Sequence, residues 1–189
     1  MTLQDYIDQI RRNLDEYDVD ISFWSDEELT DWLNEAQHEA TKITKHLTER
    51  AFIEPTEENE YPLPADFIDE YKIKIDNEFA QEIPMKYDGK GKGYYIWGDT
   101  IYLSQIDTSS KMTLFYYRAP SEMETMSDEP EIPIQYQRVL IPYVLYRAFM
   151  KDEKAELAQL NQQEFTQRVQ VMSKRYNDEP NYLNWRVIR

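Results

Sequence analysis

Residues 61–120 restrict what this chain can fold into more than any other stretch. They open with Tyr61-Pro62-Leu63-Pro64-Ala65-Asp66-Phe67 and continue through several short strand-like runs. Two prolines one residue apart remove backbone donors, exclude a helix and favour an extended segment at a sheet edge. One helical turn at 65–69 leads into Tyr71-Lys72-Ile73-Lys74-Ile75, whose strict alternation is that of a half-buried strand. Ile83-Pro84-Met85-Lys86-Tyr87 reads as another strand. Tyr94-Tyr95-Ile96-Trp97 and Thr100-Ile101-Tyr102-Leu103 flank Gly98-Asp99, a two-residue turn with Gly first that suits a type II′ hairpin. A further strand at 112–117 is closed by Arg118-Ala119-Pro120. The region is expected to form a small antiparallel sheet of about four strands. Tyr94, Tyr95, Tyr102, Tyr116 and Tyr117 are suited to pairing across it. Asp88-Gly89-Lys90-Gly91-Lys92-Gly93 lacks the Gly-Lys-Ser/Thr ending and following helix of a phosphate-binding loop, and reads as a mobile loop tip.

Helical sequence lies on both sides. Leu3, Tyr6, Ile7, Ile10 and Leu14 recur at helical spacing, with Asp5 and Asp8 early, which predicts a helix over about 2–17. Ser25 with Glu28 has the form of a capping box and launches a helix over about 25–48, with Leu29, Trp32, Leu33, Ala36, Ala40, Ile43 and Leu47 on one face. His38 and His46 fall on that helix, eight residues apart. No spaced carboxylate–histidine motif surrounds them, so they read as polar surface residues and no metal site is expected. Residues 54–60 form an acidic loop, and 121–133 an acidic linker with two prolines. Residues 134–151 are apolar on most sides, as in a helix buried on several faces by its own domain or by neighbouring copies. Pro142 predicts a kink there. The last helix, about 154–176, carries Ala158, Phe165, Val169, Met172 and Tyr176 as its stripe and pairs with the preceding helix as a hairpin.

The expected fold is α+β and mainly α: two helical hairpins flanking a small antiparallel β-sheet, with an extended C-terminal arm. Residues 1–176 form a single domain, with its β-rich region at about 61–118, and residues 177–189 form the arm. A length of 189 residues accommodates one such domain.

Charge narrows the partners. Net charge is −16, and it is concentrated. Residues 1–60 hold 17 acids and 5 bases, 61–120 hold 9 and 7, and 121–189 hold 11 and 9. Such a surface repels phosphate, which argues against ordinary DNA or anionic-membrane binding. It is compatible with a solvated acidic face, a DNA mimic, or a wall past which DNA slides. The chain has no cysteine, so disulfides and thiolate metal sites are excluded. Met1-Thr2-Leu3-Gln4-Asp5 is not a signal segment, and the apolar run 139–146 is too short to span a bilayer. The 177–189 tail is different in character. Asn181-Tyr182-Leu183-Asn184-Trp185-Arg186-Val187-Ile188-Arg189 is aromatic and basic on an acidic protein, and either docks on its own domain or adds to a partner.

Catalytic signatures are lacking: no Gly-x-Ser-x-Gly elbow, no His-Glu-x-x-His, no Rossmann or Walker fingerprint. No cofactor is expected. A hydrolase working through spatially assembled carboxylates stays open, as does an acidic DNA mimic or other interaction module outside the virion.

The order of parts resembles the head–tail adaptor (head completion, connector) proteins of tailed bacteriophages. In that family a Tyr-x-Leu-Pro-x-Asp-Phe segment leads into the strand region, as Tyr61 to Phe67 do here. A Tyr-x-x-x-Pro segment then precedes an Ile-Pro-x-x-Tyr helix start, here Tyr116 to Pro120 and Ile132 to Tyr136. The resemblance covers about 2–176; the tail has no motif match. It implies a virion structural protein with no catalytic role. Copies would form a ring, commonly of twelve, under the portal, extending the DNA channel and presenting a surface to tail or stopper proteins. DNA would pass without specific binding. On this reading Tyr182, Leu183, Trp185, Arg186 and Arg189 form an arm that reaches the portal.

Overall fold

The computed structural model describes residues 1–16, 23–54, 60–107 and 110–177. The chain divides into two units, Met1–His46 with Pro120–Arg189 and, between them in sequence, Leu47–Ala119.

The first unit is helical. Helix α1 spans Leu3–Asn13, and a complete capping box opens it: Thr2 Oγ1 accepts from Asp5 N–H at 3.3 Å, and the Asp5 carboxylate accepts from Thr2 N–H at 2.9 Å. It ends before residue 17 because Asp15 turns left-handed, at φ 59°. Helix α2 spans Asp26–Thr44, with the Ser25 hydroxyl accepting from Glu28 N–H at 3.1 Å. Lys45, at φ 50° and ψ 37°, stops it. Leu47 and His46 therefore lie beyond this helix, not on its faces as the spacing predicts.

The single kinked helix expected at 134–151 is two elements. Ile134–Val139 is a 3-10 helix and α3 spans Leu140–Lys151. Pro142 thus sits in the first turn of α3, where a backbone N–H has no intrahelical acceptor to lose. Helix α4 spans Ala155–Asn177.

All four helices contribute to one core. Tyr6 and Ile10 of α1, Trp32 and Leu33 of α2, Leu140 and Val144 of α3, and Phe165 and Val169 of α4 belong to the same buried cluster. Each fully buried aliphatic or aromatic side chain contributes about 1.5–3 kcal/mol. The 121–133 segment is part of this unit, since Met123 and Ile132 are buried in its core. The Asn34 carboxamide accepts from Met123 N–H and donates to Met123 C=O, at 2.9 and 3.1 Å.

The described residues of the second unit form seven strands in two antiparallel sheets. They are β1 (Thr48–Ile53), β2 (Glu60–Pro62), β3 (Phe67–Ile75), β4 (Glu78–Phe79), β5 (Gly93–Trp97), β6 (Thr100–Ser104) and β7 (Met112–Arg118). One sheet runs β1-β7-β3-β4 and the other β2-β6-β5. Ile73, Met112, Leu114 and Tyr116 of the first sheet share a core with Tyr61, Tyr94, Ile101 and Leu103 of the second. Gly98, at φ 60°, opens the two-residue turn between β5 and β6, where Trp97 pairs with Thr100.

These observations overturn the expected architecture. Two helical hairpins do not flank one sheet, and the fold is a mixture of helices with two sheets rather than mainly α. The helical pairs join in one unit because α3 is apolar around most of its circumference and needs cover from several sides; α1, α2 and α4 supply it. Strand β1 begins at the expected helix end, Thr48, and otherwise takes up residues 49–53, for which no element was expected. Of residues 83–87, Met85–Tyr87 form a 3-10 turn.

Candidate assembly surfaces

The motifs of the middle region meet in space. Tyr61 is fully buried in the core of the β-unit. The Asp66 carboxylate accepts a hydrogen bond from Tyr116 Oη at 3.0 Å, and the Asp66 carbonyl accepts from Ala119 N–H at 2.7 Å. The Phe67 ring stacks on Tyr116 at 5.9 Å between centroids. Segments some fifty residues apart therefore form one joint, at the end of the β3–β7 pairing where Phe67 opposes Arg118. Burial, reinforced by the Asp66 carboxylate, pushes the Tyr116 phenol up to about 12. Tyr94 Oη donates to Glu70 at 2.9 Å, and Tyr95 stacks on Tyr102 across the β5–β6 ladder at 5.0 Å. Burial raises the Glu70 carboxyl above its ordinary value. These tyrosines are spent on structure. Ile132, in the third motif segment, is buried, and Tyr136 N–H donates to Pro133 C=O at 2.7 Å as the 3-10 helix begins.

Acidic residues are less free than the sequence implies. On α2, Asp26 pairs with Arg11 at 2.6 Å, Glu35 with Arg147 at 2.5 Å, Glu39 with Lys42 at 3.3 Å, and Glu28 with Lys151. Arg11 is buried and was not legible as a site residue. Its guanidinium also donates to Glu16 at 3.0 Å and to the Trp24 carbonyl at 2.9 Å. Glu27 and Asp31 stay exposed on α2. Thr44 Oγ1 lies 2.7 Å from His46 Nδ1, and His46 Nε2 lies 2.9 Å from the Glu131 carbonyl, so this histidine ties two segments of the helical unit together. The glycine loop is pinned: Ser104 Oγ accepts from Gly89 N–H at 2.9 Å and donates to Gly91 C=O at 2.7 Å.

Exposed apolar groups mark the surfaces available for assembly. Helix α3, a candidate for contacts between copies, spends Leu140, Ile141, Val144, Leu145 and Ala148 on its own core. Helix α4 is the open one. Leu157, Leu160 and Val171 are exposed there, and with Glu164 and Gln167 they follow the three-then-four spacing of one helix face. The signal was present in the sequence, beside the more obvious buried stripe. Near the end of that face, Val171 with Tyr136, Arg138, Val139 and Arg168 lines a groove of about 390 Å³. On the β-unit, Phe52, Phe79 and Trp97 are exposed. Tyr182, Leu183, Trp185, Arg186 and Arg189 lie outside the described residues. Among the described residues no helix is long and apolar enough to cross a membrane.

A family model for SU10 adaptor protein matches residues 1–186. No curated protein matches the chain. The match spans both units and all three motif segments. The chain belongs to the SU10 adaptor protein family, a family of phage head–tail adaptors.

Proposed function

We propose that copies of this phage adaptor assemble into a ring under the portal, extend the DNA channel and join the capsid to tail or stopper proteins. The observation that carries this reading is the match to the adaptor family across 1–186. The surface agrees with it. A chain of net charge −16 that still exposes Leu157, Leu160, Val171, Phe52 and Trp97 has apolar area suited to contacts with further copies or partners. Twelve copies is the expected number, and the excess of acids keeps DNA from adhering to the bore. A DNA mimic is the weaker reading, because Asp26, Glu28, Glu35 and Glu39 are engaged by cations of the chain itself.

The test mixes this chain with purified portal rings of the same phage, followed by imaging and native mass spectrometry. A collar of twelve added copies is the expected result. A well-formed portal that binds no copies refutes the reading.

A further inference from the structure

Among the described sheet edges, β1 is the long one that is both open and regular; β3 is uncovered beside β4 over residues 67–72, but two register shifts interrupt that stretch. Strand β4 has two residues, and β2 has three and ends in Pro62. The outer edge of β5 is occupied: Ile83 N–H donates to Tyr94 C=O at 2.8 Å, and Tyr94 N–H to Gln81 C=O at 3.0 Å. Among the described residues, no backbone hydrogen bond of this kind reaches the outer edge of β1. Natural sheets blunt or pair such edges, since a row of free donors and acceptors recruits another strand.

The ladder shows which groups are free. Arg118 N–H donates to the Leu47 carbonyl, continuing the register in which Glu49 opposes Tyr116 and Ala51 opposes Leu114. Odd-numbered residues of β1 therefore bond to β7, and Thr48, Arg50 and Phe52 turn their N–H and C=O groups outward. The outward N–H of Arg50 is held by the carboxylate of its neighbour Glu49 at 3.0 Å. That carboxylate is a removable cover. The side chains divide in the same way. Ala51 and Ile53 pack against the β-unit core. Phe52 is 69% exposed, with the Arg50 guanidinium 4.8 Å from its ring centre.

We infer that the β1 edge receives residues 182–189 of a neighbouring copy as an added antiparallel strand. This rests on the ring reading above, because an edge that takes a different segment is a heterologous contact, the kind that generates rings. The sequence of that segment fits. Leu183, Trp185 and Val187 alternate with Asn184 and Arg186, and the composition is rich in aromatic and β-branched residues. In one antiparallel register Trp185 opposes Ile53, Val187 opposes Ala51 and Arg189 opposes Glu49, while Arg186 opposes the exposed Phe52. The apolar face then extends the core side of the sheet. Glu49, already 4.0 Å from the Arg118 guanidinium, exchanges its hold on the Arg50 N–H for a second ion pair, and a guanidinium lies beside an aromatic ring.

The experiment uses the full chain on portal rings, with amide hydrogen exchange and native mass spectrometry. In the collar, the Arg50 and Phe52 amides, which oppose Ile188 and Arg186 in this register, are expected to exchange at least about tenfold more slowly than in the free chain. Glu49→Arg and Arg189→Glu should each raise the concentration needed for a full collar by about tenfold, and the two together should restore it. A collar in which the β1 amides exchange as fast as in the free chain overturns the inference while leaving the ring intact. So does protection of 182–189 without protection of β1, which assigns the segment to the portal. A charge-swapped pair no better than its single variants also overturns it. Protection of β1 already present in dilute free chain would mean pairing within one copy and removes the neighbour. Absence of any collar refutes the ring and withdraws the neighbouring copy as the source of the strand.

Discussion

Replacing Tyr116 by Phe tests whether the two motif segments form a joint. The ring stays, so packing against Phe67 is kept, and only the hydrogen bond to Asp66 is lost. Tyr116 is 4% exposed. A hydrogen bond to a charged acceptor is worth about 1.5–3 kcal/mol. Asp66 is only partly buried and can recover water, so the lower end applies, about 1.5 kcal/mol at pH 7. The deletion also has a pH signature. The phenol rises from 10.0 to about 12 in the folded chain. Below pH 10 both states keep the proton and the full contribution is present. Between pH 10 and about 12 the unfolded state loses its proton first, so stability falls by about 1.4 kcal/mol per unit. Urea unfolding of wild type and Tyr116→Phe at steps from pH 7 to 11.5, followed by circular dichroism, reads this as a difference. Contributions from the other tyrosines cancel in that difference. The gap should be constant to about pH 9.5 and close above pH 10. A gap below about 0.5 kcal/mol at pH 7, or one unchanged up to pH 11.5, would show that the bond to Asp66 carries no stability.

Arg11→Met should cost about 3 kcal/mol, because Glu16, whose side chain is 11% exposed, and the Trp24 carbonyl lose their donor in a buried place. A drop in Tm of only a degree or two would refute that account. Glu70→Gln should raise the urea midpoint at pH 7, since burial disfavours the Glu70 carboxylate and the amide oxygen can still accept from Tyr94. The sign is that of a raised carboxyl: its favourable contribution is complete below the unfolded value of about 4.3 and is lost as pH rises through the folded one. The advantage of the variant should therefore vanish near pH 4, and an advantage that persists there argues against this cause.

Local signals determined much of this protein. Ser25 marks a helix start that forms where it points, because a cap needs only the next three residues. Gly98-Asp99 specifies its hairpin for the same reason. The alternation at 71–75 identifies part of β3, and the motif segments identify the family. What the sequence left open depended on distant partners. Strand β1 carries no periodic signal because it is an edge, mostly exposed, and owes its conformation to β7. Residues 121–133 look like a linker by composition, yet Asn34 and the core hold them. Arg11 looks like a surface base until Glu16, Asp26 and the Trp24 carbonyl surround it. The helices themselves were readable from the chain. That they would join in one unit, with a two-sheet unit between them in sequence, was decided by α3, whose apolar circumference no single hairpin could cover.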